Sequence, residues 1–278
     1  MKKLTRGLLT AAVAVLLCAA MTICSFAVTE NGTTVCKRSY DTYEYTQDAH
    51  PLAGKGTYTI SKGVLKENDG TKKDIYLVAA HGLEATALGY GDDFISCLQA
   101  GFDKSSVYEK QCIAFMKEEI PANANVVLVG HSLGGMIMQQ IAADKGVKKR
   151  YNVLYTVTFG SPKVTDIQPE GTLNRMCAKG DAVPWLSKKT VTEFDKQLNE
   201  RNEEDTGFST NTHVAGYRDQ NAWKNYDAVG QKKGKVTLTI DDSTTVRKTS
   251  KLLGKNTKFE GYASVEIDQN YMGIALLF

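Results

Sequence analysis

The feature that most constrains the fold is the stretch VVLVGHSLGGMIMQQ at residues 126–140. Its run of branched apolar residues is typical of a strand buried on both faces, and a helix-compatible run follows with no linker. Only a very tight turn centred on Ser132 joins two such elements, and glycine at positions 130 and 134 removes side chains that would collide across it. The sequence therefore predicts a strand–turn–helix unit that exposes the Ser132 hydroxyl and aims the free amides of the new helix, Leu133 among them, toward its target.

The flanking sequence predicts more strands and helices in alternation. Strands separated by helices favour an α/β fold with a mostly parallel central sheet and helices on both faces. The polar residues 186–212 indicate a surface excursion, and the last forty residues alternate enough to suggest strands that cannot be placed. Strands are expected at both sides of a turn at Asn68–Gly70 and at 125–130, 152–160 and 172–180; helices are expected at 92–101, 105–121 and 134–144.

The chain begins with basic residues, a long apolar stretch and small residues before Val28, which is the pattern of a secretory signal. We expect residues 1–27 to be cleaved and the protein to be secreted; the alternative is an uncleaved membrane anchor over residues 8–27. Residues 28–54 are interpreted as an N-terminal extension and residues 55–278 as one α/β domain. Removing the signal leaves 34 − 3 = 31 basic and 31 acidic residues, so no basic surface typical of nucleic-acid binding remains.

Four cysteines remain after the expected cleavage: Cys36, Cys97, Cys112 and Cys177. In an oxidising compartment they can pair in three ways, of which Cys97 with Cys112 is favoured, and four buried thiols are the alternative. Their spacing matches no zinc site, so we expect neither a metal nor a cofactor.

A serine hydroxyl becomes a useful nucleophile only when a base takes its proton, and histidine is the side chain suited to that near neutral pH. The sequence contains four histidines. His50 lies in the N-terminal extension, His81 precedes the serine along the chain, and strand alternation turns His131 away from Ser132 into a packing role. His213, beyond the last central strand, is therefore the candidate base.

The base needs a carboxylate that fixes its tautomer and stabilises its charged form. Asp181 directly follows the predicted strand 172–180, at the carboxyl edge of the sheet where such sites form. Asp166 follows the preceding strand by a longer turn and is the second choice. The other acidic residues between Ser132 and His213 are interpreted as solvated charges: Asp144, Asp195, Glu203, Glu204 and Asp205.

The segments VVLVGHSLGG, YTVTFGSPKV and NRMCAKGDAVPWL, with a histidine after them, resemble the class 3 (fungal-type) lipases of the α/β-hydrolase superfamily. The resemblance covers roughly residues 72–225. It implies that Ser132 is the nucleophile, that Asp181 is the triad acid and that His213 is the base.

The chain departs from that family at residues 80–86, where AHGLEAT replaces the usual Phe-Arg-Gly-Thr type motif. By position, the backbone amide of Leu83 would join that of Leu133 in the oxyanion hole. Leucine carries no hydroxyl, so its side chain cannot donate a hydrogen bond to the oxyanion. The segment after His213 also lacks the Pro-Glu-Tyr-Trp motif that is usual in the family.

The resemblance implies a secreted hydrolase of carboxylic esters, with a lipid or other ester as substrate, acting at an interface if a lid is present. Residues 84–92 or 186–212 could supply a lid. We expect no nucleic-acid partner and no obligate protein partner. The same triad would serve a short-chain esterase, a thioesterase or a peptidase, and a non-catalytic surface protein that binds through a hydrolase scaffold is an alternative of another class.

Overall fold

The structure is a computed structural model that describes residues 32–48, 56–82, 107–164, 167–181, 183–185, 202–206 and 212–250. The predicted signal, the predicted helix at 92–101 and the candidate lid at 84–92 lie outside these ranges. Among the candidate site residues, Leu83 and Asp166 also lie outside them.

The described residues form one eight-stranded sheet with the strand order β1-β8-β2-β3-β4-β5-β6-β7. Strands β3 to β7 run parallel to one another, while β1, β8, β2 and β3 are joined by antiparallel pairings that extend the sheet on one side. The predicted α/β fold with a mostly parallel sheet is confirmed. The strands are β1 (Thr33–Cys36), β2 (Gly56–Lys66), β3 (Lys72–Ala80), β4 (Asn125–His131), β5 (Asn152–Phe159), β6 (Thr172–Lys179), β7 (Asn202–Asp205) and β8 (Thr237–Ser250).

Six α-helices lie among the described residues, and the longer ones cover both faces of the sheet. They are α1 (Ser39–Asp48), α2 (Val107–Glu119), α3 (Leu133–Ala143), α4 (Lys145–Arg150), α5 (Thr212–Ala215) and α6 (Gln220–Trp223). Short 3-10 helices occur at Val183–Trp185 and Gly216–Arg218. In the described part of the chain, no helix has both the length and the apolar character to span a membrane.

Alternation along the central strands divides the buried side chains into two cores. On β4, Val127 and Val129 join a core that contains Tyr43 of α1 and the aromatic residues of the segment 212–236. Val126 and Leu128 face the opposite side and pack with α2 and α3. Both faces of β4 are buried, so its residues do not alternate between apolar and polar. This burial explains the continuous apolar run in its sequence.

Residues 28–54, which the sequence sets apart as an extension, contribute β1 and α1 to this sheet and core. Strand β1 pairs with β8 in antiparallel register. The Tyr43 ring is fully buried, and the Thr42 hydroxyl donates a hydrogen bond of 2.7 Å to the carbonyl oxygen of Ala228. The side chain of Glu44 forms a two-point ion pair with Arg218, with N–O distances of 2.8 and 3.2 Å. The helix α1 is therefore attached to the segment that carries His213.

Two regions that the sequence left unplaced also enter the sheet. Within the polar excursion at 186–212, residues 202–205 form the edge strand β7, parallel to β6. Strand β8, which runs into the last forty residues, lies between β1 and β2.

Cys36, Cys112 and Cys177 are buried free thiols, and Cys97, the favoured partner of Cys112, lies outside the described residues. Burial raises the pKa of the Cys36 and Cys112 thiols far above the usual range, so both stay protonated. The three described cysteines are therefore buried thiols, as the alternative to disulfide pairing predicts.

The buried position of Tyr43 gives a test of the role of α1. Replacing Tyr43 with alanine leaves a cavity between α1 and the sheet, so we expect Tyr43→Ala to lower the free energy of unfolding by about 3–5 kcal/mol. Equilibrium urea unfolding measures this difference. Val35→Ala, at an exposed position of β1, is the matched control and should change stability by less than about 0.5 kcal/mol. A Tyr43→Ala variant as stable as the control would show that α1 is not part of the folded core.

Candidate active site

Ser132 lies at the turn between β4 and α3. Its φ of 54° and ψ of −124° are rare for a residue with a side chain. Its backbone N–H donates a 2.9 Å hydrogen bond to the carbonyl oxygen of Phe159, and its own carbonyl accepts from the amides of Gly135 and Met136 in the first turn of α3. Hydrogen bonds on both sides hold the strained backbone, which is the geometry expected where a strand passes directly into a helix.

The glycines around Ser132 are required by close backbone approaches. A Cβ atom on Gly130 would overlap the backbone of Gly134, and a Cβ atom on Gly134 would overlap the carbonyl group of Ala80 in β3. At Gly82, two residues after β3, a Cβ atom would lie 2.7 Å from the Cβ of Ser132. The end of β3 therefore passes directly beside the serine.

Asp181 and His213 form a hydrogen-bonded pair. The Nδ1 atom of His213 lies 3.0 Å from both carboxylate oxygens of Asp181. The Asp181 side chain is 0% exposed, whereas that of His213 is 28% exposed. A buried carboxylate at Nδ1 is the arrangement that fixes the proton on this nitrogen and leaves Nε2 as an acceptor.

Two further donors hold the Asp181 carboxylate. The backbone N–H of Val183 donates to Oδ1 at 3.0 Å, and the Tyr217 hydroxyl donates to Oδ2. Burial, followed by the nearby Asp181 charge, raises the pKa of Tyr217 well above its usual value, so its hydroxyl remains a donor. With every oxygen hydrogen-bonded, the charge of this buried carboxylate is compensated.

Gly160 links this pair to the serine. It follows Phe159, whose carbonyl accepts the Ser132 amide, and it has a positive φ of 58°. A Cβ atom at Gly160 would lie 2.7 Å from Oδ2 of Asp181 and 3.0 Å from Cε1 of His213. The structure therefore brings Asp181 and His213 to the carboxyl ends of β5 and β6, next to the strand end that carries Ser132.

Two of the other histidines lie close to this site. His131 is buried, as a packing role predicts, but its ring centroid lies 4.5 Å from that of His213. His81 directly follows β3, and its Nδ1 lies 2.7 Å from the carbonyl oxygen of Gly82. His50 lies outside the described residues.

Of the two residues predicted to form the oxyanion hole, the structure describes Leu133. Leu133 begins α3 directly after Ser132, so its amide belongs to the free N-terminal turn of that helix. Leu83 lies outside the described residues. Within the described ranges, His, Cys, Asp and Glu side chains form no group of three or more that could hold a metal ion.

The remaining acidic candidates have structural partners where they are described. Asp144 accepts a hydrogen bond from the Val147 amide and caps α4. In β7, Glu204 accepts from Tyr226 and Lys232, and Asp205 pairs with Lys179. Asp195 lies outside the described residues.

Sequence reasoning missed Tyr217 and the contact that His131 makes with His213. A signal for Tyr217 was available, since it follows His213 by four residues within a short helical stretch, a spacing that puts two side chains on one face. The His131 contact joins residues far apart in sequence, and a single sequence holds no local signal for it.

A comparison with protein families matches residues 65–203 to the family described as "Lipase (class 3)". The match covers half of the chain and includes Ser132 and Asp181, while His213 lies beyond its end. Searches of curated proteins and of solved structures found no match. The chain belongs to the class 3 lipase family, and its activity is that of a carboxylic ester hydrolase.

Proposed function

We propose that the protein is a secreted serine hydrolase that cleaves lipid esters through a triad of Ser132, Asp181 and His213. The triad is supported by the contact of the His213 Nδ1 with both oxygens of a fully buried Asp181. This pair lies beside the end of β4, the strand that leads into Ser132. Family membership supports the ester as substrate class.

In the first half of the reaction, the Oγ atom of Ser132 forms a bond to the acyl carbon of the ester while Nε2 of His213 takes its proton. The bond between the acyl carbon and the alcohol oxygen then breaks, and the proton passes from Nε2 to the leaving alcohol. Asp181 stabilises the imidazolium without accepting its proton. In the second half, water replaces the alcohol and Ser132 is regenerated by the same steps.

The negative oxygen of each tetrahedral intermediate needs hydrogen-bond donors that are already in place. The amide of Leu133 is suited to this because it is one of the free amides at the start of α3, next to the nucleophile. We assign the second amide to Leu83 by its sequence position. No metal or cofactor takes part in these steps.

The nucleophile is tested by Ser132→Ala, which we expect to lower kcat for a p-nitrophenyl ester by about 10⁴- to 10⁶-fold while the protein stays folded. A fluorophosphonate probe should label wild-type protein at Ser132, as located by mass spectrometry, and should not label the variant. Ser39→Ala is the matched control, because Ser39 is a buried serine whose hydroxyl has no hydrogen-bond partner among the described residues.

Substantial esterase activity in Ser132→Ala would reject this mechanism. A correctly folded wild-type protein that neither reacts with the probe nor turns over esters would favour the non-catalytic binding role.

The lipid preference is tested with p-nitrophenyl esters from acetate to palmitate, each assayed with and without an emulsion interface. A lipase should favour the longer chains and should gain activity sharply when the substrate forms an interface. Preference for soluble acetate or butyrate, with no gain at the interface, would make the protein a short-chain esterase instead.

The secretion proposal rests on the pattern of residues 1–27. Expression of the full chain in a secreting host should yield protein in the medium whose N-terminus, determined by mass spectrometry, is Val28. Protein that stays in the membrane fraction with residues 1–27 attached would instead support the anchor.

A further inference from the structure

His131 directly precedes Ser132 and is enclosed by the groups that surround the proposed base. Its ring lies edge-on to Tyr43, with ring centroids 5.3 Å apart, and packs against His213 at 4.5 Å with an angle of 35° between the planes. The ring centroid of Tyr217, the donor to Asp181, lies 6.0 Å from that of His131. His131, the last residue of β4, therefore lies between α1 and the segment that carries His213.

A hydrogen bond connects His131 to the main chain of the base. Its Nε2 lies 2.8 Å from the carbonyl oxygen of His213. A carbonyl oxygen can only accept, so Nε2 carries the hydrogen and donates it. The other ring nitrogen, Nδ1, is buried and has no hydrogen-bond partner among the described residues. This arrangement requires a hydrogen on Nε2, and the buried, unpartnered Nδ1 favours the neutral tautomer, which leaves no N–H unsatisfied there.

The surroundings also keep His131 neutral. Burial is the largest effect that lowers its pKa well below 6.5, and the nearby His213 lowers it further. A neutral ring can donate one hydrogen bond without placing a positive charge beside His213, whose own ring must become positive during catalysis. The same contact would oppose catalysis if His131 were charged.

We propose that His131 is a positioning residue for the base, holding the main chain of His213 through its Nε2–H donor so that the imidazole stays aligned with Ser132 and Asp181. The inference rests on the proposed triad. Asp181 holds the His213 ring at Nδ1 only, which leaves the ring free to pivot about that contact. Support at the main-chain carbonyl and on the ring face removes this freedom, so the residue before the nucleophile also orients the base.

The test compares His131→Phe, which keeps a packed ring but removes the donor, with His131→Gln, which can place an amide N–H near the position of Nε2. The fluorophosphonate probe first counts competent sites by titration, and kcat is then expressed per titrated site. We expect His131→Phe to lower kcat per site by about 10- to 100-fold with KM unchanged, because small misplacements of a catalytic group have effects of this size. His131→Gln should recover most of the loss.

Tyr43→Phe is the matched control within the same cluster. Its hydroxyl is buried without a hydrogen-bond partner among the described residues, so its removal leaves the packing against His131 in place. We expect its kcat per site to equal that of the wild type.

A role in packing alone would reduce the number of titratable sites in His131→Phe and leave kcat per site unchanged, which would overturn the inference. Equal losses in the Phe and Gln variants would also overturn it, because the hydrogen bond would then not be responsible. Failure of the triad itself is distinguishable, since it would appear as wild-type protein that the probe does not label.

A measurement on unmutated protein keeps the inference testable even if His131→Phe does not fold. With four histidines in the chain, NMR of protein labelled with ¹⁵N-histidine can resolve each ring, and the signals missing from His131→Gln identify His131. At neutral pH, His131 should be neutral with its hydrogen on Nε2. A ring that carries its hydrogen on Nδ1 alone would contradict the proposed hydrogen bond, and a charged ring would contradict the proposed neutral donor.

Discussion

The carboxylate of Asp181 lies in the interior of the protein, where its oxygens accept hydrogen bonds from His213, Tyr217 and the Val183 amide. A buried charge without such partners would be strongly destabilising, so these donors and the carboxylate require one another. This requirement fixes where the segment 212–218 meets the end of β6. It also explains why the facing residue, Gly160, carries no side chain, since a Cβ atom there would collide with both members of the pair.

Some residues of the site lie within the part of the chain that matches the family, and others lie outside it. Ser132 and Asp181 lie within the matched residues 65–203, just beyond the carboxyl ends of the parallel strands β4 and β6. The proposed base, His213, lies outside that match, and so do two of the segments around it: α1, with Tyr43 and Glu44, and the segment 212–218. The ion pair between Glu44 and Arg218 and the ring contacts of Tyr43 tie these two outer segments together over the end of β4. The base is thus held by contacts distant in sequence.

The sequence predicts what is encoded locally. The turn at Ser132 follows from two glycines and two adjoining patterns, and the apolar runs of β3 to β5 indicate strands buried on both faces. The roles of α1 and β8 could not be predicted, because α1 has a polar sequence and β8 depends on pairing with strands far away in the chain. His131 shows the limit most clearly: strand alternation predicts that it faces the core, but its partner there is the carbonyl of a residue whose position only the folded chain sets.

If the buried carboxylate orients His213 as the proposed base, the turnover of Asp181→Asn should reveal it. An asparagine of the same size can donate to Nδ1 and thereby select the wrong tautomer of His213, so kcat should fall by about 10⁴-fold in a protein that remains folded. Turnover close to that of the wild type in a folded Asp181→Asn variant would contradict this role of Asp181, because the histidine would then not need the carboxylate.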